Sequence, residues 1–80
     1  MNRTPIYMPK LGMTMTHGVI VDWEVSVGDR LEPGDSIASV ETEKVETVLE
    51  AEVSGVISEL CAETGDEIAV GAVIAYVDAD

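Results

Sequence analysis

Apolar side chains recur at every second position through much of the chain. From Val19 to Val25, the residues Val19, Val21, Trp23 and Val25 alternate with Asp22 and Glu24. That is the two-residue period of a strand buried on one face, and β-branched residues with a Trp suit it. Val56, Ser58, Leu60 and Ala62 repeat the same face further on. Thr47, Leu49, Ala51 and Val53 alternate with Glu46, Val48, Glu50 and Glu52, which predicts a strand over 46–53, and a second strand is predicted over 36–42. No stretch carries a helical period. Strands separated at these intervals by Gly-Asp and Pro-Gly pairs predict an all-β sandwich or barrel.

The turn signals themselves repeat. Gly18-Val19-Ile20, Gly28-Asp29 and Gly34 return as Gly55-Val56-Ile57, Gly65-Asp66 and Gly71, each 37 positions later (18 to 55, 28 to 65, 34 to 71). Apolar positions follow the same offset: Trp23 with Leu60, Val25 with Ala62, Leu31 with Ile68, Ile37 with Ile74, Ala38 with Ala75 and Val40 with Val77. Two copies are too few for a solenoid, so the expectation is one domain over residues 1–80 with quasi-two-fold symmetry. Asp29 and Asp66 are expected to fix turns through their side chains. Under the same offset the 42–46 segment corresponds to the place where the two chain ends meet. The termini are therefore expected side by side, at the end of the molecule opposite Lys44.

Composition sharpens the functional classes. The chain has 80 residues, is 46% hydrophobic, and carries 16 acidic against 4 basic side chains for a net charge of −12. With no basic surface to displace phosphate counterions, nucleic-acid binding is not expected, and neither is attraction to an anionic membrane. One cysteine, Cys61, allows no internal disulfide and fits a passive thiol in a reducing compartment. His17 is the single histidine, so neither a metal site nor a nucleophile-activating pair is expected. No apolar run has the length of a membrane span, and the N-terminus lacks the apolar core of a secretory signal. The expected location is the cytoplasm, or a mitochondrial matrix if a targeting segment has been removed.

Against that acidic background one residue stands out. Lys44 is the sole base after Arg30, and it lies in Glu41-Thr42-Glu43-Lys44-Val45-Glu46 between two predicted strands. Taken locally it reads equally as a solvated turn residue, since no Asn-Gly signature of a tight hairpin accompanies it. The surrounding residues decide further. Met8-Pro9-Lys10-Leu11-Gly12-Met13-Thr14-Met15-Thr16, Gly18-Val19-Ile20, Trp23, Gly28-Asp29, Gly34-Asp35, Glu41-Thr42-Glu43-Lys44-Val45, Glu50-Ala51, Gly55-Val56-Ile57 and Gly65-Asp66 together resemble the lipoyl domain of the dihydrolipoamide acyltransferase component of 2-oxo acid dehydrogenase complexes, in the biotinyl/lipoyl attachment family.

The resemblance implies a flattened β-barrel of two four-stranded antiparallel sheets, a barrel-sandwich hybrid, with the lysine at a hairpin tip. It implies lipoic acid joined as an amide to Lys44, a primary amine on a flexible stem, and an acyl carrier without a catalytic centre of its own. The cofactor carries the chemistry and the protein the positioning. Implied partners are a thiamine-diphosphate-dependent 2-oxo acid decarboxylase, a dihydrolipoyl dehydrogenase and a lipoate ligase or lipoyl transferase. Recognition residues carried over are Glu43 and Val45 beside the lysine and Leu11, Gly12 and Met13 in the loop before His17. Glu43 with Glu41 and Glu46 reads equally as a solvated acidic rim. Met13 and Met15 read either as an adaptable contact surface or as side chains packed beneath that loop.

A biotin carrier shares the fold, but its lysine is typically flanked by methionines where this chain has Glu43 and Val45. An unmodified protein-interaction module of the same ancestry is the other alternative. Glu52, where a proline commonly follows Glu-Ala, and Glu24, where an apolar residue is common, depart from the family pattern. They leave open which 2-oxo acid, pyruvate and acetoin included, the domain serves.

Overall fold

The computed structural model of the protein describes residues 2–10, 15–43 and 45–80. Eight strands follow one another: β1 (Asn2–Tyr7), β2 (His17–Trp23), β3 (Arg30–Leu31), β4 (Ser36–Glu41), β5 (Glu46–Glu50), β6 (Gly55–Leu60), β7 (Glu67–Ala69) and β8 (Val73–Ala79). They form two four-stranded antiparallel sheets, in the orders β1-β8-β6-β3 and β5-β4-β2-β7. Each strand of one sheet has its counterpart in the other, as the repeat requires.

The repeated turns share one geometry. Gly28 and Gly65 have φ of 96° and 94°, and Gly34 and Gly71 have 94° and 88°, values that L side chains rarely adopt. Asp29 accepts the Ser26 N–H at 2.8 Å, and Asp66 accepts the Glu63 N–H at 2.8 Å. The turns also tie the two halves together. The Gly28 N–H donates to the Ile57 carbonyl at 2.8 Å, and the Gly65 N–H donates to the Ile20 carbonyl at 2.7 Å. Each half therefore completes the backbone hydrogen bonding of the other.

The facing of β2 and β6 departs from the simple alternation. Ile20 is fully buried while Val21 is 37% exposed, so Val19 and Val21 do not share the inner face with Trp23. The reason is a β-bulge. Ile20 pairs with Val40 and Asp22 with Ser39, which leaves Val21 as an extra residue that flips the phase beyond it. Ser58, its equivalent, is skipped in the same way between Ile57 and Glu59. A second bulge pair, at Ile37 and Ile74, buries the consecutive residues Ile37-Ala38 and Ile74-Ala75. β5 also stops at Glu50 rather than running to 53, although Ala51 remains buried and Val53 half-buried.

The core divides into two symmetric clusters. Ile20, Val40, Ala62, Ile74 and Ala75 pack with Met8 in one; Ile57, Val77, Ile37, Ala38 and Leu31 pack with Ala51 in the other. The end of β4 thus lies over the start of β8, and the end of β8 over the start of β4. β1 pairs with β8 through Asn2 and Ala79, so the two ends of the chain lie side by side. They sit at the end of the sandwich away from the β4–β5 turn, as the repeat predicted. Trp23 packs against both clusters, and its indole N–H donates to the Ala62 carbonyl at 3.0 Å. Between the outer strands β1 and β5 a groove of about 390 Å³ remains, bordered by Leu31, Ile37, Ala51 and Val77 of the second cluster.

At the chain ends, Arg30 forms ion pairs with Asp80 and, at 3.1 Å, with Glu32. The Arg30 hydrogen bond holds the Asp80 carboxyl below its ordinary value of 3.8. A carboxylate favoured by the fold stabilises it above its unfolded pKa and loses that contribution as protons are added. Protection of the Ala79 and Asp80 amides, corrected for the intrinsic pH dependence of exchange, is therefore expected to fall as the pH drops below 3.8, and Arg30→Ala is expected to remove it already at neutral pH. Equal exchange in both proteins at neutral pH would refute the clamp.

Candidate functional site

β4 and β5 are joined by a short turn between Thr42 and Val45. Glu41 and Glu46 form the last cross-strand pair. Beyond it the Thr42 N–H donates to the Val45 carbonyl at 2.8 Å, and the Val45 N–H donates to the Thr42 hydroxyl at 3.3 Å. The threonine side chain thus supplies an acceptor that ties the two arms of the turn together. Glu43 is exposed and Val45 is 50% exposed. Chain connectivity sets residue 44 between them; Lys44 itself lies outside the described residues, as do Leu11, Gly12 and Met13.

The neighbouring loop is anchored at both of its described margins. Met8 is buried in the first core cluster, and Met15 packs against that cluster from a half-buried position. Packing, rather than a free contact surface, is therefore what Met15 does. His17 is exposed, 3.0 Å from the Thr16 hydroxyl and 3.8 Å from the Glu67 carboxylate. Cys61 is exposed. Among the described residues no three His, Cys, Asp or Glu side chains gather as metal ligands, and no helix is long and apolar enough to cross a membrane.

The described residues of the turn face solvent and are closed by a backbone bond and a bond to the Thr42 hydroxyl, an arrangement that can present a side chain to other proteins. The comparisons agree with that geometry. A family model described as "Biotin-requiring enzyme" matches residues 4–77. The chain belongs to the biotinyl/lipoyl attachment family. Within it the chain is a lipoyl-type domain, and its relatives are acyltransferase components. It is 40% identical over 72 residues to the dihydrolipoyllysine-residue acetyltransferase component of the acetoin cleaving system of Bacillus subtilis, covering 90% of this chain and 18% of that protein. It is 45% identical over 76 residues to the corresponding acetyltransferase component of the pyruvate dehydrogenase complex of Corynebacterium glutamicum, covering 94% of this chain and 11% of that one. The lipoyl-type domain thus spans less than a fifth of either relative.

Solved structures give the same architecture. The lipoyl domain of the 2-oxoglutarate dehydrogenase complex from Azotobacter vinelandii superposes with a TM-score of 0.75 at 26% identity, covering 91% of this chain and 92% of that one. Urea carboxylase from Kluyveromyces lactis matches with a TM-score of 0.79 at 25% identity, over 95% of this chain and 6% of that one. Fold alone does not separate the likeness to the lipoyl domain from the likeness to urea carboxylase. The two acyltransferase relatives, at 40% and 45% identity, stand on the lipoyl side.

Proposed function

We propose that this domain is an acyl carrier in a 2-oxo acid dehydrogenase complex of the pyruvate or acetoin type, with lipoic acid attached through an amide to Lys44. The observation that carries the reading is the exposed, self-closed turn between Thr42 and Val45, at the end of the sandwich away from the paired chain ends. A tether at those ends leaves the turn free to reach successive active sites at high local concentration. When attached, lipoic acid supplies a disulfide that takes up an acyl group and two electrons. The chain's own part is to hold the lysine on rigid strands. Glu43, Val45 and the Leu11-Gly12-Met13 segment are assigned to recognition by the modifying ligase or transferase and by the decarboxylase. Reoxidation falls to a dihydrolipoyl dehydrogenase. The net charge of −12 supports protein partners over nucleic acid or membrane, and the cytoplasm or an organelle matrix is the setting that goes with this role.

Biotin is the competing group, favoured by the description of the matching family model as "Biotin-requiring enzyme". Co-expression with a lipoate ligase and, separately, with a biotin ligase decides between them by intact mass. Lipoyl addition in the first sample only is expected, and Lys44→Gln is expected to remove it completely. Biotin addition, or no addition with either ligase, would overturn the lipoyl assignment.

A further inference from the structure

The two sheets are copies of one another in backbone but not in the charge of their outer faces. On the β1 sheet, the row Arg3, Asp78, Val56, Arg30 runs across four paired strands. On the β5 sheet, the symmetric row is Glu46, Glu41, Val19, Glu67. The first alternates in sign and is neutralised within the molecule. Arg3 is ion-paired to Glu59 and lies 4.1 Å over the Tyr76 ring, and Arg30 is ion-paired to Glu32 and Asp80. In the second row Glu41 and Glu46 stand directly opposite one another, an arrangement that destabilises a sheet. Among the described residues no Lys or Arg contacts either of them.

Beneath that row the β5 sheet exposes apolar surface. Val48 pairs with Ser39, and the bulged Val21 lies beyond Ser39 on β2. Val48 is 45% and Val21 37% exposed. The bulge is what turns Val21 outward. Asp22, opposite Ser39, and Glu50, opposite Ser36, continue the acidic border. His17, held against Glu67, is the one titratable base on this face among the described residues. On the β1 sheet the equivalent positions are Pro5, Tyr76 and Ser58, where Arg3 covers the Tyr76 ring and the Ser58 hydroxyl donates to the Tyr76 carbonyl.

We propose that the outer face of the β5 sheet, with Val48, Ser39, Val21 and Val19 at its centre and Glu46, Glu41, Glu67 and Asp22 at its border, is a docking surface for a protein with an apolar patch ringed by Arg and Lys. The repulsive Glu41–Glu46 pair is relieved when such a rim closes on it, which gives the contact its electrostatic complementarity. Glu41 and Glu46 are the last paired residues before the turn, so an enzyme that works on the group at residue 44 meets this row as it approaches. The inference rests on the carrier reading for its choice of partner.

The test uses binding of the unmodified domain, followed by backbone NMR titration, to the purified 2-oxo acid decarboxylase, dihydrolipoyl dehydrogenase and lipoate ligase of the same organism. Shift changes for at least one enzyme are expected to map to the β5 sheet and to fade as salt rises. Glu46→Arg with Glu67→Arg copies the sign pattern of the other sheet. It is expected to raise Tm while weakening that enzyme's binding at least tenfold, a combination that a purely structural role for these glutamates does not produce. Val48→Lys is expected to weaken binding by a similar factor without unfolding. Arg3→Glu is the control on the opposite face, with lower Tm and binding unchanged within twofold. Binding of all three enzymes within twofold of the parent by both β5-sheet variants would overturn the docking face. Intact mass of the domain after lipoate and ATP are added with the ligase reports separately whether Lys44 is lipoylated, and so whether the carrier reading stands.

Discussion

Gly55→Ala is expected to lower the melting temperature of this domain by more than about 12 °C, whereas Gly18→Ala, at the equivalent position of the other half, is expected to be nearly silent. Both glycines are buried at the start of a long central strand. At Gly55 an added Cβ would collide with the Asp78 carbonyl oxygen and come within 2.8 Å of Val77 Cγ1 and 2.9 Å of Ala79 Cα. Two of those three neighbours are backbone of β8, which is held between β1 and β6 and cannot retreat without breaking pairs on both sides. Overpacking against rigid surroundings costs about 3 kcal/mol, and each kcal/mol moves the Tm of a domain this size by roughly 4–8 °C. At Gly18 the nearest atoms are the ends of methionine side chains, Met15 Cε and Met8 Sδ, both at 3.1 Å. Flexible thioethers shift at little cost, about 1 kcal/mol or less. Thermal melts of the two variants side by side are the measurement, and equal losses would show that β8 yields as easily as Met8.

The second expected result also sets one half against the other. Ile57→Ala is expected to cost about 4 kcal/mol and Ile20→Ala about 2 kcal/mol, both within the usual range for such truncations. The side chains are equivalent by the repeat, with Ile20 fully buried and Ile57 1% exposed. Their surroundings differ in the capacity to adapt at one symmetric site, although Leu49 also belongs only to the Ile20 cluster and Leu31 only to the Ile57 cluster. The Ile20 cluster contains Met8, whose side chain can bend into a new hole, and the Ile57 cluster has Ala51 in that place, which cannot. Leu31, Ile37 and Val77 of the Ile57 cluster already border the groove between β1 and β5, so that cluster is packed from fewer directions. Urea denaturation with an unchanged m-value would read the difference as stability alone. A larger loss at Ile20 would mean that Met8 is held too firmly to adapt.

The residues that made these contrasts legible in advance are the repeated ones. Gly28, Gly65, Gly34 and Gly71 announced turns because the conformation they adopt is closed to most side chains, and such a requirement is local. The Asp29 and Asp66 side chains act within three residues of themselves, so they too could be read from the chain. The quasi-two-fold symmetry and the neighbouring termini followed from the 37-residue offset, whereas the two four-stranded sheets were implied by the resemblance to lipoyl domains. Lys44 was noticeable in the same way, as a single base among carboxylates between two predicted strands, while its assignment as an attachment point came from the resemblance to lipoyl domains.

What the chain could not reveal is where a strand carries an extra residue. Period-two alternation put Val19 and Val21 on the inner face of β2, but the bulge at Val21 belongs to the pairing of β2 with β4, and pairing is a contact between distant segments. Likewise Glu41, Glu46 and Glu67 look like scattered solvated charges until the register sets them in one row. Sequence alone determined an all-β fold with internal symmetry, the turns, the side-by-side termini and the lysine between two strands. Tertiary structure alone decided which valines face solvent and which carboxylates confront one another, because strand register and bulges are set by inter-strand hydrogen bonds that no local preference encodes.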